Sequence, residues 1–195
     1  MGDFETYLDS QSVLDAVNDM LAAIGEPPVN SLDDQHADLK NAHRILLSVN
    51  KTIQSTGWTF NIEEGATLRP EVNSLQIPYL QSYLRMTGAG GTGTYINRGG
   101  FVFDRTANTD EFTGPITVDL VRGRDFYEMP TCFRDLIVAT ASARFNRNFF
   151  GSAEVAADLK EEMAIHKVAC MEYEMDYGRY NMLDGDAFVQ GIIQR

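Results

Sequence analysis

The sequence predicts an α+β fold: a bundle of about four helices, with an antiparallel β module inserted between the second and third. Three observations carry this. Apolar residues recur at three- and four-residue spacing near both ends of the chain, the period of amphipathic helices. The centre instead alternates, is rich in aromatic and β-branched residues, and is punctuated by Gly and Asn turns. There is no internal repeat, and no linker long enough to separate independent domains. The expected division is a helical bundle from residues 1–57 and 130–176, a β-rich module from 58–129, and a C-terminal interface arm from 177–195.

The first helix should start near Asp9 or Ser10, either of which can cap it, and carry Val13, Leu14, Val17, Met20, Leu21 and Ile24 on one stripe. Gly25 and Pro27-Pro28 end it. A second helix is expected over residues 34–55, where Leu39, Ala42, Leu46, Val49 and Ile53 form a narrow seam suited to packing on other helices. In the centre, Trp58-Thr59-Phe60-Asn61-Ile62 reads as a strand, as do 75–79, 94–96, 100–103 and 116–121. Asn97-Arg98-Gly99-Gly100 reads as a turn, and residues 86–94 as a flexible hairpin tip. Pro130 suits the first turn of a helix carrying Phe133, Ile137, Ala141 and Phe145. Gly151-Ser152 breaks it. The last helix, 153–176, should bury Ala156, Leu159, Met163, Ala169 and Tyr173.

Of 195 residues, 28 are acidic and 16 basic, giving a formal charge of −12. That balance argues against a sequence-specific DNA-binding protein, which would need a basic face to neutralise phosphates. The 44% apolar content is that of a folded globular chain. No stretch approaches the roughly 20 continuous apolar residues that span a bilayer. The acidic start, Met1-Gly2-Asp3-Phe4-Glu5, lacks the basic and apolar regions of a signal peptide. Cys132 and Cys170 cannot form a disulfide framework, so packed, reduced thiols are expected.

Several motifs invite a chemical reading. Gly88-Ala89-Gly90-Gly91-Thr92-Gly93 matches G-x-G-x-x-G, but a dinucleotide site needs a helix after the glycines, and Tyr95-Ile96-Asn97-Arg98 has strand and turn character. No cofactor is expected. His36, His43 and His166 are scattered, so no metal is expected either, and Asp184-Gly185-Asp186 lacks the ligand series of a calcium loop. Glu63 with Glu64, and Glu172 with Glu174 or Asp176, could imitate a glycosidase pair. A solvated or interface face is the stronger reading of these carboxylates. No nucleophile elbow is present.

Aromatic residues in exposed-looking places point to protein contacts. Phe101 and Phe103 stand beside glycines, and Tyr173, Tyr177 and Tyr180 gather around the last helix, followed by Met182, Leu183 and Phe188. Twelve of the 16 bases are arginine, which favours bidentate pairing with carboxylates. An ordinary core with a solvated rim explains the same residues, but an interaction protein leads over an enzyme.

Four long strings carry a resemblance. They are Ala16-Val17-Asn18-Asp19-Met20-Leu21-Ala22-Ala23-Ile24-Gly25-Glu26-Pro27-Pro28-Val29; Ile53-Gln54-Ser55-Thr56-Gly57-Trp58-Thr59-Phe60-Asn61-Ile62-Glu63-Glu64-Gly65; Tyr95-Ile96-Asn97-Arg98-Gly99-Gly100-Phe101-Val102-Phe103-Asp104-Arg105; and Cys170-Met171-Glu172-Tyr173-Glu174-Met175-Asp176-Tyr177-Gly178 with 180–188. Together they resemble the tail tubular protein A family of short-tailed, podovirus-type phages, from near residue 13 to the C-terminus. The glycine-rich stretch 86–93 departs from the family pattern.

The resemblance implies a structural virion protein at the head–tail junction, made in the bacterial host cytoplasm, with no active site. It implies a homo-dodecameric ring under the portal protein, carrying the tail nozzle protein (tail tubular protein B) below and tail fibres around the junction. Double-stranded genome DNA would pass through without sequence-specific binding, and no membrane contact is expected. An acidic lumen keeps DNA sliding, so Glu161, Glu162, Asp33 and Asp34 are expected to contribute to the lining. The rival expectation is a polysaccharide-degrading tail enzyme using the carboxylates named above.

Overall fold

The computed structural model describes residues 2–34 and 36–178. It is an α+β protein with four helices and two small antiparallel sheets. Helix α1 spans Gly2–Ala22 and α2 spans Ala37–Ser55. Strands β1 (Ile62–Leu68), β2 (Tyr83–Gly88), β3 (Tyr95–Arg98), β4 (Phe101–Asp104) and β5 (Ile116–Arg122) follow. The chain then returns to helix in α3 (Thr131–Phe149) and α4 (Ala153–Tyr177). Helix α1 begins ahead of the expected cap at Asp9 or Ser10, since no Gly or Pro interrupts residues 3–8. Pro130 sits at the N-cap of α3, one position earlier than expected.

The helical core is built from the predicted stripes. Val13, Val17, Met20 and Leu21 of α1 meet Leu39, Ala42, Leu46 and Val49 of α2, with Ile137, Ala141 and Phe145 of α3 closing the cluster. These positions are almost fully buried, and each such side chain contributes about 1.5–3 kcal/mol by leaving water.

In the β region, β5 is the centre of a three-stranded sheet ordered β1-β5-β2. Val118 and Leu120 point from β5 into a second core with Ile77, Tyr83, Met86, Val102 and Phe112. Strands β3 and β4 form a separate hairpin whose turn is Gly99-Gly100, both at positive φ (63° and 87°). A two-residue turn with this hand needs φ > 0 at both positions, and the adjacent glycines supply it without strain. The predicted turn at 97–100 is therefore observed.

Three expectations in the β region fail for identifiable reasons. Trp58–Asn61 is a tight turn rather than a strand, because the Asn61 side chain closes it: Trp58 N–H donates to Asn61 Oδ1 (2.8 Å), while Asn61 Nδ2 donates to Gln54 O (2.9 Å). Residues 75–79 run beside β4 but form only one bridge, at Pro78, because Leu75 turns into the left-handed region (φ 55°) and gives its carbonyl to Phe112 N–H (2.8 Å) instead. Met86–Gly88, expected to be a loop tip, is the end of β2, paired as Met86↔Leu120 and Gly88↔Val118. Gly88 is required there because a Cβ would run into the Gly93 backbone. Between β2 and β3 the glycines make only a 3-10 turn, with no helix after them.

A third core joins the two regions. Phe133 at the start of α3 is fully buried against Trp58 (4.9 Å between ring centroids), Phe60 (4.7 Å) and Tyr173 of α4 (5.7 Å). Beside it, the buried Gln54 side chain bonds both backbone groups of Arg124: Nε2 donates to O (3.0 Å), and Oε1 accepts from N (2.7 Å). The point where the chain leaves α2 is thereby tied to the point where it returns from β5. Gln54→Ala strips both bonds from the part-buried Arg124 backbone and is expected to cost about 2 kcal/mol. Urea unfolding of the isolated chain measures this as a lower midpoint at an unchanged slope.

Candidate assembly surfaces

Helix α4 packs on α3 along one stripe. Leu159 and Cys170 are buried on that stripe, with Val155, Met163, His166 and Tyr173 half-buried. The expected buried face was thus right in direction and too generous in extent. Ala156 is exposed, and Ala169 only half-buried. The opposite face of the same helix carries Ile165 (61% exposed), Val168 (56%), Met171 (52%) and Met175 (66%). Their three- and four-residue spacing is as regular as that of the buried stripe. One α3 partner can cover only one side of a helix, so this second stripe is left in water. An apolar strip of this kind is a candidate surface for contact with another protein. Sequence reasoning missed these four residues, although their spacing was legible beside the first stripe.

Charge is segregated over the bundle. Near α1, burial raises the Asp19 carboxyl above its usual range, and the neighbouring carboxylates of Asp15, Asp135 and Glu162 push it further the same way. Three helices therefore meet in one anionic region. On the other side, a groove of about 660 Å³ runs between α2, α3 and the start of α4. Val49, Ile53, Ala143, Ala156 and Met163 give it an apolar floor, and Arg144, Arg147 and Lys160 rim it without a carboxylate among its lining residues.

The residues singled out from the sequence fall in different places. Tyr173 is half-buried in the Phe133 cluster and stacks on Tyr177 (4.4 Å between centroids), which is largely exposed. Phe103 is buried, with the Arg98 guanidinium 3.6 Å above its ring, and Phe101 is half-buried. Tyr180, Met182, Leu183 and Phe188 lie outside the described residues. Glu161 and Glu162 are exposed on α4, with Glu162 Oε1 3.5 Å from His166 Nε2. Asp33 and Asp34 are exposed between α1 and α2, where Asp33 N–H donates to Ser31 Oγ (3.1 Å).

Two of the carboxylates that imitated a catalytic pair, Glu63 and Glu174, have structural partners. Glu63 holds Arg124 (2.8 Å) and Arg122 (3.2 Å) at the end of β5. The Glu174 carboxylate accepts from Thr59 N (3.0 and 3.2 Å) and Thr59 Oγ1 (3.0 Å), fixing α4 against the Trp58 turn. Glu64 and Glu174 do line one cleft of about 490 Å³ with Tyr177, but Glu174 is occupied by Thr59. Among the described residues no group of three or more His, Cys, Asp or Glu could hold a metal, and no helix is long and apolar enough to cross a membrane. The Cys170 thiol is pushed up to about 12 by burial and by Cys132 beside it.

An α+β bundle with one helix face left open and no metal cluster among its described residues is the arrangement of a binding or structural protein. The chain belongs to the tail tubular protein family, whose model it matches over residues 14–180. It is similar to tail tubular protein A of Klebsiella phage KP34, with 23% identity over 168 residues, covering 86% of this chain and 89% of that protein. The chain is a structural component of a phage virion tail, working in complex with other virion proteins.

Two measurements follow from the electrostatics. Asp19→Asn removes a carboxylate whose ionised form the fold disfavours. At neutral pH it should stabilise the isolated chain by about 0.3 kcal/mol, the scale of one like-charge pair, or a Tm rise of about 1 °C. The sign follows from the raised pKa: stability present when Asp19 is protonated is lost as pH rises through that pKa, so the gain should vanish in acid. Cys170 should resist iodoacetamide at pH 8 until the chain is unfolded, because its thiol stays protonated. Mass spectrometry of the native and urea-treated protein reads the difference.

Proposed function

We propose that this chain is the subunit of a dodecameric adaptor ring that docks beneath the portal, carries the tail nozzle protein and tail fibres, and conducts the genome during ejection. The observation that carries the reading is the open apolar face of α4, a surface that a free subunit has no reason to keep. Membership of the tail tubular protein family supports the setting. Each copy offers different chemistry on different sides, as a closed ring of heterologous contacts requires.

In this reading the anionic side of the bundle faces the channel. Glu161, Glu162, Asp33 and Asp34 line it and repel the phosphates of passing DNA. Asp15 and Asp19, which lie near enough to Glu162 to share its field, belong to the same surface. The segment 177–195 is an arm that seats on a neighbouring protein.

Light scattering of the cognate portal ring, alone and mixed with this protein, tests the reading. The complex should gain the mass of twelve copies, and deletion of 179–195 should reduce that gain. No added mass on an intact portal would overturn the adaptor role. An assembled structure with basic rings in the channel would overturn the lining.

A further inference from the structure

We infer that the outer face of α4 in one copy seats in the groove between α2, α3 and α4 of the next copy, Ile165, Val168, Met171 and Met175 covering its apolar floor and Glu172 and Asp176 meeting its arginines. The inference rests on the ring reading and specifies which two surfaces make the ring contact.

The two surfaces are complementary in polarity and in charge. Small residues line the groove at Ala143, Gly151, Ala153 and Ala156, and the floor of Val49, Ile53 and Met163 is apolar. Methionine is suited to such a seat because its unbranched, polarizable side chain fits irregular gaps. The exposed α4 strip supplies two methionines, Met171 and Met175, in its last turns. Along its flank run Glu172 and Asp176, both exposed and four residues apart, where like charges cost a few tenths of a kcal/mol in a free helix. Arg144 and Arg147 at the groove rim are exposed on α3. Arginine pairs carboxylates in a planar, bidentate geometry, which would turn that repulsion into a charge-matched border around an apolar centre.

The occupant must come from another copy. The groove is walled by α4's own first half, through Ala156, Lys160 and Met163. The apolar strip lies on the second half of the same continuous helix. A rigid helix cannot place its last turns against its first. The contact therefore joins unlike surfaces, and repetition of one such contact closes a ring or extends a filament. Glu161 and Glu162 are not among the residues that line the groove, which leaves them free to face a channel.

Charge exchange tests the pairing on full-length protein mixed with intact portal, using the added mass as readout. Glu172→Arg with Asp176→Arg should weaken ring assembly at least about tenfold, because like charges then face each other across the contact. Arg144→Glu with Arg147→Glu should do the same. An equimolar mixture would scramble the contacts, so the four changes are combined in one chain, where assembly should return. Circular dichroism and an unchanged Tm establish that each variant folds. If the four-fold variant stays unassembled, or either charge-reversed pair assembles as the wild type does, the pairing is overturned while the ring stands. If wild-type protein adds no mass to the portal, the ring reading itself falls. A photoreactive benzoylphenylalanine in place of Met171 gives a second readout. Cross-links to residues 140–163 of another copy support the pairing, and cross-links to the portal or to 179–195 overturn it.

Discussion

Three side-chain amides hold this chain together at its joints, and the rest of the architecture depends on them. Each pairs with both backbone groups of one distant residue, as a neighbouring strand would. Asn18 takes Val29 (Nδ2 to O 3.0 Å, N to Oδ1 2.8 Å) and sets the exit from α1. Gln54 takes Arg124 and sets the exit from and return to the helices. Asn146 takes Ser152 (Nδ2 to O 2.9 Å, N to Oδ1 3.3 Å) and sets the turn from α3 into α4. Gln54 and Asn146 are buried, where an unpaired amide is costly and a doubly paired one specifies a single geometry.

The last joint matters most for assembly. With Asn146 holding Ser152, and Ser152 Oγ accepting from Val155 N at the N-cap, the direction of α4 is fixed at its first turn. At the other end, Glu174 is fastened to Thr59, and Tyr173 is wedged against Phe133. A helix pinned at both ends presents its outer face as a rigid surface. Ordering costs for that surface have already been met by folding, so less is lost when a partner covers it.

Periodicity made the helices legible. The α1, α2 and α3 stripes are buried where they were expected to be, apart from Leu14, Ile24 and Ile53, which are half-buried, because a 3.6-residue repeat has one solution once a core exists. The β region was less legible because its local signals were overridden from a distance. Trp58-Thr59-Phe60 has strand composition, yet its backbone obeys Asn61 and the aromatic cluster around Phe133. Residues 86–88 have loop composition, yet the central strand β5 needs a second partner and takes them. Neither influence leaves a local trace. The α4 error was of another kind. Two apolar stripes were written on one helix, and only one was read.

That second stripe also separates what folding needs from what assembly needs. Exposing Ile165, Val168, Met171 and Met175 gains the free subunit nothing, and each would contribute on the order of 1 kcal/mol or more once covered. The anionic region around Asp19 works in the same direction, since it loosens the isolated fold slightly. Both features run against the stability of a lone chain and become favourable or neutral when other molecules supply apolar cover or counter-charge. A sequence under pressure only to fold would have placed polar residues on the outer face of α4 and dispersed its carboxylates. An apolar strip left open on a firmly anchored helix, beside an anionic region shared by three helices, suits a protein that works in complex with other virion proteins.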